Sequence, residues 1–505
     1  MAEQEETTTG KERIIPFDLL PDEIWLRIFS EFSVSTLCRC RRVSKKWNTL
    51  SHDQSIWLYL CKSILPASFI AKMKPTHQIE EEDNKNDIFA AAINKRDKKL
   101  SNSFKDCTSW ESIYRVYSST QQNWATSTAV RVTCVKAHDQ SIKVLKLKGD
   151  LVVTGSSDNY MRVWNVRTME RLLEIDVGAD INSVDFLVEK DVIACGSYYG
   201  AFGCKFFSLS RGKPLSQFME NHWVGTQCLI MNEDHIVVGS HNGDVYVIAW
   251  MECRKVAVFH EHRNPVAGVC LIGTDTVLSV STNGTIDTFS IKQHTRLHQY
   301  SISNGMSVCI SAFDELGDGR NVMCVSPTGT IVHLLWPNDE TTETVDSSSQ
   351  YFQKITDTES IHRIFSQDPI IHYSNDEISN RILCAAIDGT FNRGVIGPCL
   401  AWPPRGSIQI YDFEKGLGRL DGIQSPNAED DALANCNREQ GGSGLNPVFT
   451  ALGMDIEKVV AGCSRGWIYC FELVGEVNEH KEFTRENQSS QSSSPLLKEI
   501  WEEIY

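Results

Sequence analysis

Residues 152–164 read VVTGSSDNYMRVW, an apolar strand, a turn of small polar residues and a second strand ending on Trp164. The pattern returns as VIACGSYYG (192–200), IVVGSHNGDVYVI (236–248), VLSVSTNGTIDTF (277–289), VMCVSPTGTIVHL (322–334) and VVAGCSRGWIYCF (459–471). Positions equivalent to Gly155 fall at 196, 239, 280 and 325, in steps of 41, 43, 41 and 45 residues. Short strands repeating at that period predict a propeller of four-stranded blades. Seven units are expected, beginning near 137, 177, 222, 262, 304, 363 and 446. The strand at 128–135 would complete the last blade and close the ring, which removes exposed sheet edges. Segments 338–360, 391–405 and 414–445 break the pattern and are expected to be insertions. The sixth unit is split between ILCAAIDG (382–389) and GSIQIYDF (406–413).

Upstream of the repeats the texture is helical. In PFDLLPDEIWLRIFSEFSVSTLCRCRRVSKKWNTL (16–50), Pro21 with Asp22 and Glu23 opens a helix, since proline fits the first turn and carboxylates suit the positive end of its dipole. Ile24, Ile28 and Phe32 recur at helical spacing, Ser33 can cap a second helix with Leu37, and Val43 begins a third with Trp47 and Leu50. Three helices in under 50 residues leave apolar surface for a partner. A charged spacer follows, then Trp110, Ile113, Tyr114 and Tyr117 at helical spacing, which predicts a linker helix able to pack on both neighbours.

Composition limits the function. The chain has 505 residues, 41% hydrophobic and 23% charged, with a net charge of −16. That is a poor footprint for nucleic acid, which needs a basic face. Segments 338–360, 412–445 and 476–505 carry −5, −4 and −4, so most of the acidity sits in loops and tail rather than on the blades. The polar start MAEQEETTTG lacks the features of a secretory signal, and no 18-residue stretch is apolar enough to span a bilayer. Seventeen cysteines without a Cys-x-x-Cys pair fit reduced thiols in cytoplasm or nucleus and no structural zinc. No cofactor, metal or membrane is expected. Gly416-x-Gly418-x-x-x-Gly422 is placed in a linker, outside the strand–loop–helix context of nucleotide binding.

Leu-Pro-x-Glu-Ile, Ile-Phe and Val-Ser-Lys-x-Trp within residues 16–61 resemble the F-box. With Trp-x-x-x-Tyr and Asn-Trp near 110–124 and the repeats beyond, residues 16–475 resemble the F-box/WD-repeat family. The resemblance implies an α+β multidomain chain: a small three-helix F-box plus helical linker, then an all-β seven-bladed WD-repeat propeller. The expected division is a disordered start (1–15), F-box (16–62), spacer and linker (63–127), propeller (128–475) and Ser/Gln-rich tail with a short amphipathic helix (476–505).

The family supplies target proteins to SCF-type ubiquitin ligases. By that resemblance Leu20 and Pro21 would wedge into the small cullin adaptor, Ile24, Ile28, Leu37 and Val43 would add apolar contacts, and Trp47 would support the fold. His138, Thr154, Asp158 and Trp164 have the spacing of the structural WD tetrad, and His262, Ser279, Asn283 and Phe289 form a second copy; neither is catalytic in this reading. Candidates for target contact on the upper face are Lys143, Ser157, Tyr198, Trp223, Gln227, His241, Arg263 and Arg465. Family members that read phosphorylated targets place arginines at these positions, and here Lys143, Gln227 and Ala267, then Ser157, His241 and Thr282, occupy them, which speaks against phosphate reading. The implied role is a non-catalytic receptor subunit with adaptor, cullin and an unknown protein substrate as partners. The alternatives are a scaffold whose F-box does not assemble a ligase, and a propeller enzyme, for which no acid–base or metal cluster is evident.

Overall fold

In the computed structural model the described residues are 20–65, 70, 104, 107, 109–197, 203–218, 225–302, 308, 310–313, 321–326, 330–336, 369–373, 382–388, 393–398, 408–412, 418–422 and 448–474. Spacer residues 71–103 and the tail from 475, with its expected amphipathic helix, lie outside them.

The amino-terminal module holds four helices, one more than the sequence reading gave: α1 (Asp22–Ser30), α2 (Val34–Cys40), α3 (Lys45–Ser51) and α4 (Gln54–Ile64). Each start follows from its cap. Pro21 precedes α1, whose first turn carries Asp22 and Glu23. Ser33, Ser44 and Asp53 accept backbone N–H groups of α2, α3 and α4, satisfying donors that a helix start leaves bare. Ser44, not Val43, therefore opens the third helix. Trp25, Phe29, Leu37, Cys40, Leu50 and Ile56 form the buried core, with Trp47 packed at ring-centroid distances of 5.0 Å from Trp25 and 5.3 Å from Phe29.

Helix α5 (Trp110–Ala125) starts in a capping box between Ser109 and Ser112 and buries Ile113, Val116, Thr120 and Trp124. Its amino-terminal half packs on α4, where Trp57 meets Tyr114 edge-on. Its carboxyl-terminal half seats on the propeller: Asn123 Nδ2 donates to Leu473 O and Trp124 Nε1 to Ile456 O, both at 2.9 Å. Arg393 lies over the Trp124 ring and bonds Gln121 Oε1.

Seven four-stranded antiparallel sheets follow. Blade one is β2 (Ile142–Lys148), β3 (Leu151–Ser156), β4 (Tyr160–Asn165) and β5 (Glu170–Asp176). Blade two is β6 (Ser183–Leu187), β7 (Val192–Gly196), β8 (Cys204–Ser208) and β9 (Pro214–Phe218). Blade three is β10 (Thr226–Met231), β11 (His235–Ser240), β12 (Val245–Ala249) and β13 (Arg254–Phe259). Blade four is β14 (Val266–Ile272), β15 (Thr276–Ser281), β16 (Thr285–Ser290) and β17 (Thr295–Ser301). Blade five is β18 (Ile310–Phe313), β19 (Asn321–Val325), β20 (Ile331–Leu335) and β21 (Ile370–Tyr373). Blade six is β22 (Ile382–Asp388), β23 (Arg393–Pro398), β24 (Gln409–Asp412) and β25 (Gly418–Gly422). Blade seven joins β26 (Phe449–Met454), β27 (Lys458–Cys463) and β28 (Trp467–Glu472) to β1 (Arg131–Lys136), the earliest strand, which closes the ring antiparallel to β28.

The repeated glycine has a packing cause. A Cβ on Gly155, Gly196, Gly239 or Gly462 would stand 2.4–2.7 Å from Ile181, Thr226, Cys228 and Val266, or Ile142 respectively, so at Gly155, Gly196 and Gly462 the next blade occupies the space a side chain would need.

Three boundaries differ from the sequence reading. Residues 370–373 are the outer strand of blade five, so the sixth blade begins at 382 rather than near 363. Segment 391–405 contains β23, which fills the gap between the two halves of blade six. Gly418–Gly422 is a strand within 414–445, not a linker. Thirteen described cysteines are free thiols, most of them buried, whereas Cys134 is disulfide-bonded, unlike the fully reduced set expected.

Candidate functional site

Two surfaces at opposite ends of the described chain carry the residues singled out above. On the helical module, Pro21 and Ile24 are exposed in or before the first turn of α1 and Val43 stands free after α2; Ile24 and Val43 are 46% and 63% exposed. Leu20 and Ile28 are half-buried. Lys46 Nζ holds this corner by bonding Leu20 O at 3.3 Å and Asp22 Oδ1 at 2.9 Å. Leu37 is fully buried and cannot be a partner contact: the apolar face of α2 turns into the module, and its spacing could not distinguish core from surface. Trp47 belongs with the core rings.

On the propeller, α5 touches the turn between β26 and β27 and the end of β28. The turns joining second to third strands and the loops leading into first strands lie on the opposite, upper face. There the first strands of blades one, three, four, six and seven each carry a bulge at the upper end, at positions 143, 227, 267, 383 and 450. Bulges take a residue out of the ladder and re-aim it. The structure thus brings Lys143, Gln227 and Ala267 to equivalent places. Lys143 is exposed, Gln227 and Ala267 half-buried, and Thr450 Oγ1 is turned back onto Ile142 O at 2.5 Å. Ser157, His241 and Arg465 are half-buried in the upper turns, Arg263 is exposed beside His262, and Tyr198 and Trp223 lie outside the described residues.

The first tetrad is geometrically complete. His138 Nδ1 faces Asp158 Oδ2 at 2.9 Å, His138 Nε2 and Thr154 Oγ1 are 2.8 Å apart, and Trp164 Nε1 donates to Thr154 Oγ1 at 3.3 Å. Arg162, invisible to the spacing argument, adds a bond to Asp158 at 2.9 Å and one to Glu174 at 2.6 Å. Burial pushes His138 down to about 4, outweighing the Asp158 carboxylate, so the imidazole is neutral near pH 7. The second tetrad is corrected. His262 Nε2 meets Ser279 Oγ at 2.7 Å, but its Nδ1 faces Thr285 Oγ1 and Asp287 Oδ2, each at 3.2 Å, and not Asn283. Asn283 Oδ1 instead accepts Thr285 N and Oγ1 within its own turn. Phe289 stacks on Phe259 at 4.3 Å. These side chains are bound to one another inside blades, an arrangement for holding turns rather than for chemistry on a ligand. Among the described residues no three His, Cys, Asp or Glu side chains gather as metal ligands, and no helix is long and apolar enough to cross a membrane.

The F-box-like family matches residues 17–63. A probable E3 ubiquitin ligase complex SCF subunit, scon-2, of Neurospora crassa is 20% identical over 197 residues, covering 30% of this chain and 30% of that protein. An F-box/WD repeat-containing protein of Dictyostelium discoideum is 25% identical over 122 residues, covering 24% of this chain and 10% of that protein. The chain therefore spans less than a third of the length of these curated relatives. In fold, residues amounting to 68% of the chain superpose on 97% of the RRP9 WD40 repeats with a TM-score of 0.50 at 12% identity. An F-box-like module and a seven-bladed WD40-type propeller, joined through one docked helix, give this chain the domain combination of the F-box/WD-repeat proteins.

Proposed function

We propose that the chain is a substrate-recognition subunit of an SCF-type ubiquitin ligase. The F-box would dock on the small cullin adaptor, and the upper propeller face would hold the protein to be modified. The observation that carries this reading is the apolar corner of half-buried Leu20 and exposed Pro21, Ile24 and Val43, separated from the upper face by the docked helix α5. Such a subunit needs no covalent chemistry of its own: fixing a target lysine near a charged ubiquitin carrier raises the effective concentration of the attacking amine. The similarity to a probable SCF subunit supports the same reading. A cytoplasmic or nuclear location belongs to this proposal, as does an unmodified target, given a single cation at Lys143 among the aligned bulge positions 143, 227 and 267.

The test is co-purification of adaptor and cullin with the full chain. A Leu20→Ala/Pro21→Ala variant is expected to lose both while the propeller stays folded. Retention of cullin by that variant would rule out this docking surface. Adaptor capture without cullin would favour the scaffold reading.

A further inference from the structure

We propose that Glu457 is a positioning residue: through Phe104 it fixes the F-box–linker body on the propeller, and so sets where a bound target stands relative to the ubiquitin carrier. This rests on reading the chain as a ligase receptor. Glu457 Oε1 accepts Phe104 N at 3.3 Å across 353 residues of sequence.

The repeat explains why this carboxylate is available. Asp150, Asp191, Asp275 and Glu457 each stand one residue before the second strand of a blade, and their carbonyls accept Val166 N, Leu209 N, Ile291 N and Leu473 N at 2.7–3.1 Å. In blades one, two and four the carboxylate then holds the turn from third to outer strand of its own blade. Asp150 Oδ1 accepts Arg167 Nε at 2.8 Å, Asp191 Oδ1 accepts Ser210 N at 2.6 Å, and Asp275 Oδ1 accepts Lys292 N at 2.7 Å. Blade seven has no such turn, because its outer strand β1 comes from ahead of blade one. Its acidic residue is one methylene longer and reaches the linker instead.

Charge balance within the surrounding cluster does not require Glu457. At the end of the ring that α5 touches, Lys458 and Arg167 meet the carboxylates of Asp150, Asp455 and Glu457. Lys458 Nζ is 2.9 Å from Asp455 Oδ2 and Arg167 Nε is 2.8 Å from Asp150 Oδ1, whereas Glu457 Oε2 stands 4.0 Å and 3.6 Å from the two cations. Glu457 is thus the surplus anion of this group, its side chain 17% exposed, and burial pushes its pKa above the ordinary glutamate value against the pull of Lys458. Enclosing a charge that neutralises no partner costs stability. The Phe104 amide gives that carboxylate a charge-assisted bond across the joint.

The place of Phe104 makes this bond a second anchor. Asn123 and Trp124 are neighbours near the end of α5, and alone they would act as one pivot. The Phe104 side chain is buried with Cys61 and Leu65 at the end of α4 and with Ile113 and Val116 of α5. An anchor there ties the F-box itself, and not only the linker helix, to blade seven. Transfer to a held target depends on that geometry, since a misplacement of about 1 Å can cost on the order of 100-fold in rate.

Fluorophores carried by unnatural amino acids at exposed Tyr59 of α4 and Met251 after β12 would report the distance between F-box and propeller in the full chain. The native chain is expected to give one narrow distribution. Glu457→Ala should widen it at least twofold without lowering the melting temperature of the propeller, since both cations keep their own carboxylates. Glu457→Gln retains an oxygen for Phe104 N and should restore the narrow distribution. In the ligase reconstituted with adaptor, cullin and ubiquitin carrier, mass spectrometry would map self-modified propeller lysines. At least twice as many sites are expected for Glu457→Ala as for the native chain or Glu457→Gln. Identical distributions in all three chains, widening by Gln as great as by Ala, or a lysine pattern unmoved by Glu457→Ala overturns the proposal. Failure of the native chain to capture adaptor defeats the ligase reading and the role in transfer with it, while the distances still decide whether Glu457 sets the joint.

Discussion

Glu111, in the first turn of α5, accepts Arg41 Nη2 at 2.9 Å across 70 residues of sequence, joining the end of α2 to the linker helix. The same carboxylate takes Arg115 at 2.6 Å and faces His52 Nδ1 at 2.9 Å. Its side chain is 12% exposed. Burial alone would raise its pKa; Arg41, His52 and Arg115 overcome that and hold it below the usual carboxylate value. This hub, with the capping box and the Trp57–Tyr114 contact, makes the F-box and linker one body.

Glu111→Ala should therefore loosen the module without touching the adaptor corner. Removing one partner of a buried pair strands the others, here two part-buried guanidinium groups. The expected loss is about 2–4 kcal/mol in stability of the helical module. Limited proteolysis should show earlier cleavage between residues 41 and 111, with propeller fragments unchanged. The low carboxylate pKa gives a sign: the hub's contribution is present above the unfolded value and is lost as pH falls through the folded one. Glu111→Gln should thus flatten the acid limb of the module's stability curve.

Asp185 staples three blades. It is fully buried on β6, pairs with Lys148 of blade one at 2.6 Å, and accepts Met231 N of blade three at 2.9 Å. Burial penalises its charge, and Lys146 and Lys148 more than compensate, leaving the carboxyl below its ordinary range. Asp185→Ala leaves the Met231 amide without its acceptor and takes the carboxylate from Lys148, whose Nζ keeps its bond to Phe186 O at 2.7 Å, and should destabilise the propeller by about 3–5 kcal/mol. Chemical denaturation would read this as a lower midpoint, and adding Lys148→Met should recover part of the loss.

The propeller's pH dependence should come in large part from buried histidines. His333 is buried, with Nε2 3.0 Å from Asn321 Oδ1, and burial pushes it down to about 4, with the nearby His372 adding to the shift. It is neutral in the fold, whereas the unfolded chain takes up a proton near its ordinary value. Its contribution is fully present above about pH 6.5 and is lost as pH falls toward 4. Replacing it with Gln, which can still donate to Asn321, should reduce the slope of unfolding free energy against pH by about 1.4 kcal/mol per unit between pH 6 and 4.5. Blade four behaves differently. Burial pushes Asp287, 3.2 Å from His262, up to about 6, and relief of that penalty on acidification opposes the loss from His262.

What the sequence made legible was whatever recurs or obeys a period. The Gly155 series was readable because the same steric exclusion by the next blade acts at several copies. The caps Ser33 and Pro21 were readable because they act on neighbours a few residues away. Strand β23 was hidden because Pro and Gly flank it and it lacks alternation. Strand β21 was displaced from β20 by 34 intervening residues, so its match to blade five had no local signal. The Glu111–Arg41 and Asp185–Met231 links join residues 70 and 46 positions apart, and no periodicity reports such pairs.

Leu37 shows where periodicity fails in the F-box and supplies the sharpest test of the docking surface. Ile24, Val43 and Leu37 are all apolar, but the first two face outward and the third is wholly enclosed by Trp25, Phe29 and their neighbours. Substituting Ile24 or Val43 with Asp should leave stability within about 0.5 kcal/mol, since neither fills a core position. Leu37→Ala should cost about 2–5 kcal/mol through the lost transfer energy and the cavity left behind. Adaptor affinity should follow the opposite order: Ile24→Asp and Val43→Asp at least tenfold weaker at unchanged melting temperature, Leu37→Ala weakened only in step with the fraction unfolded. Calorimetric titration of the adaptor against each variant, paired with its melting curve, separates the two effects. Unchanged binding by both Asp variants would remove this corner from the interface, because a buried carboxylate without a partner could not be accommodated in an apolar contact.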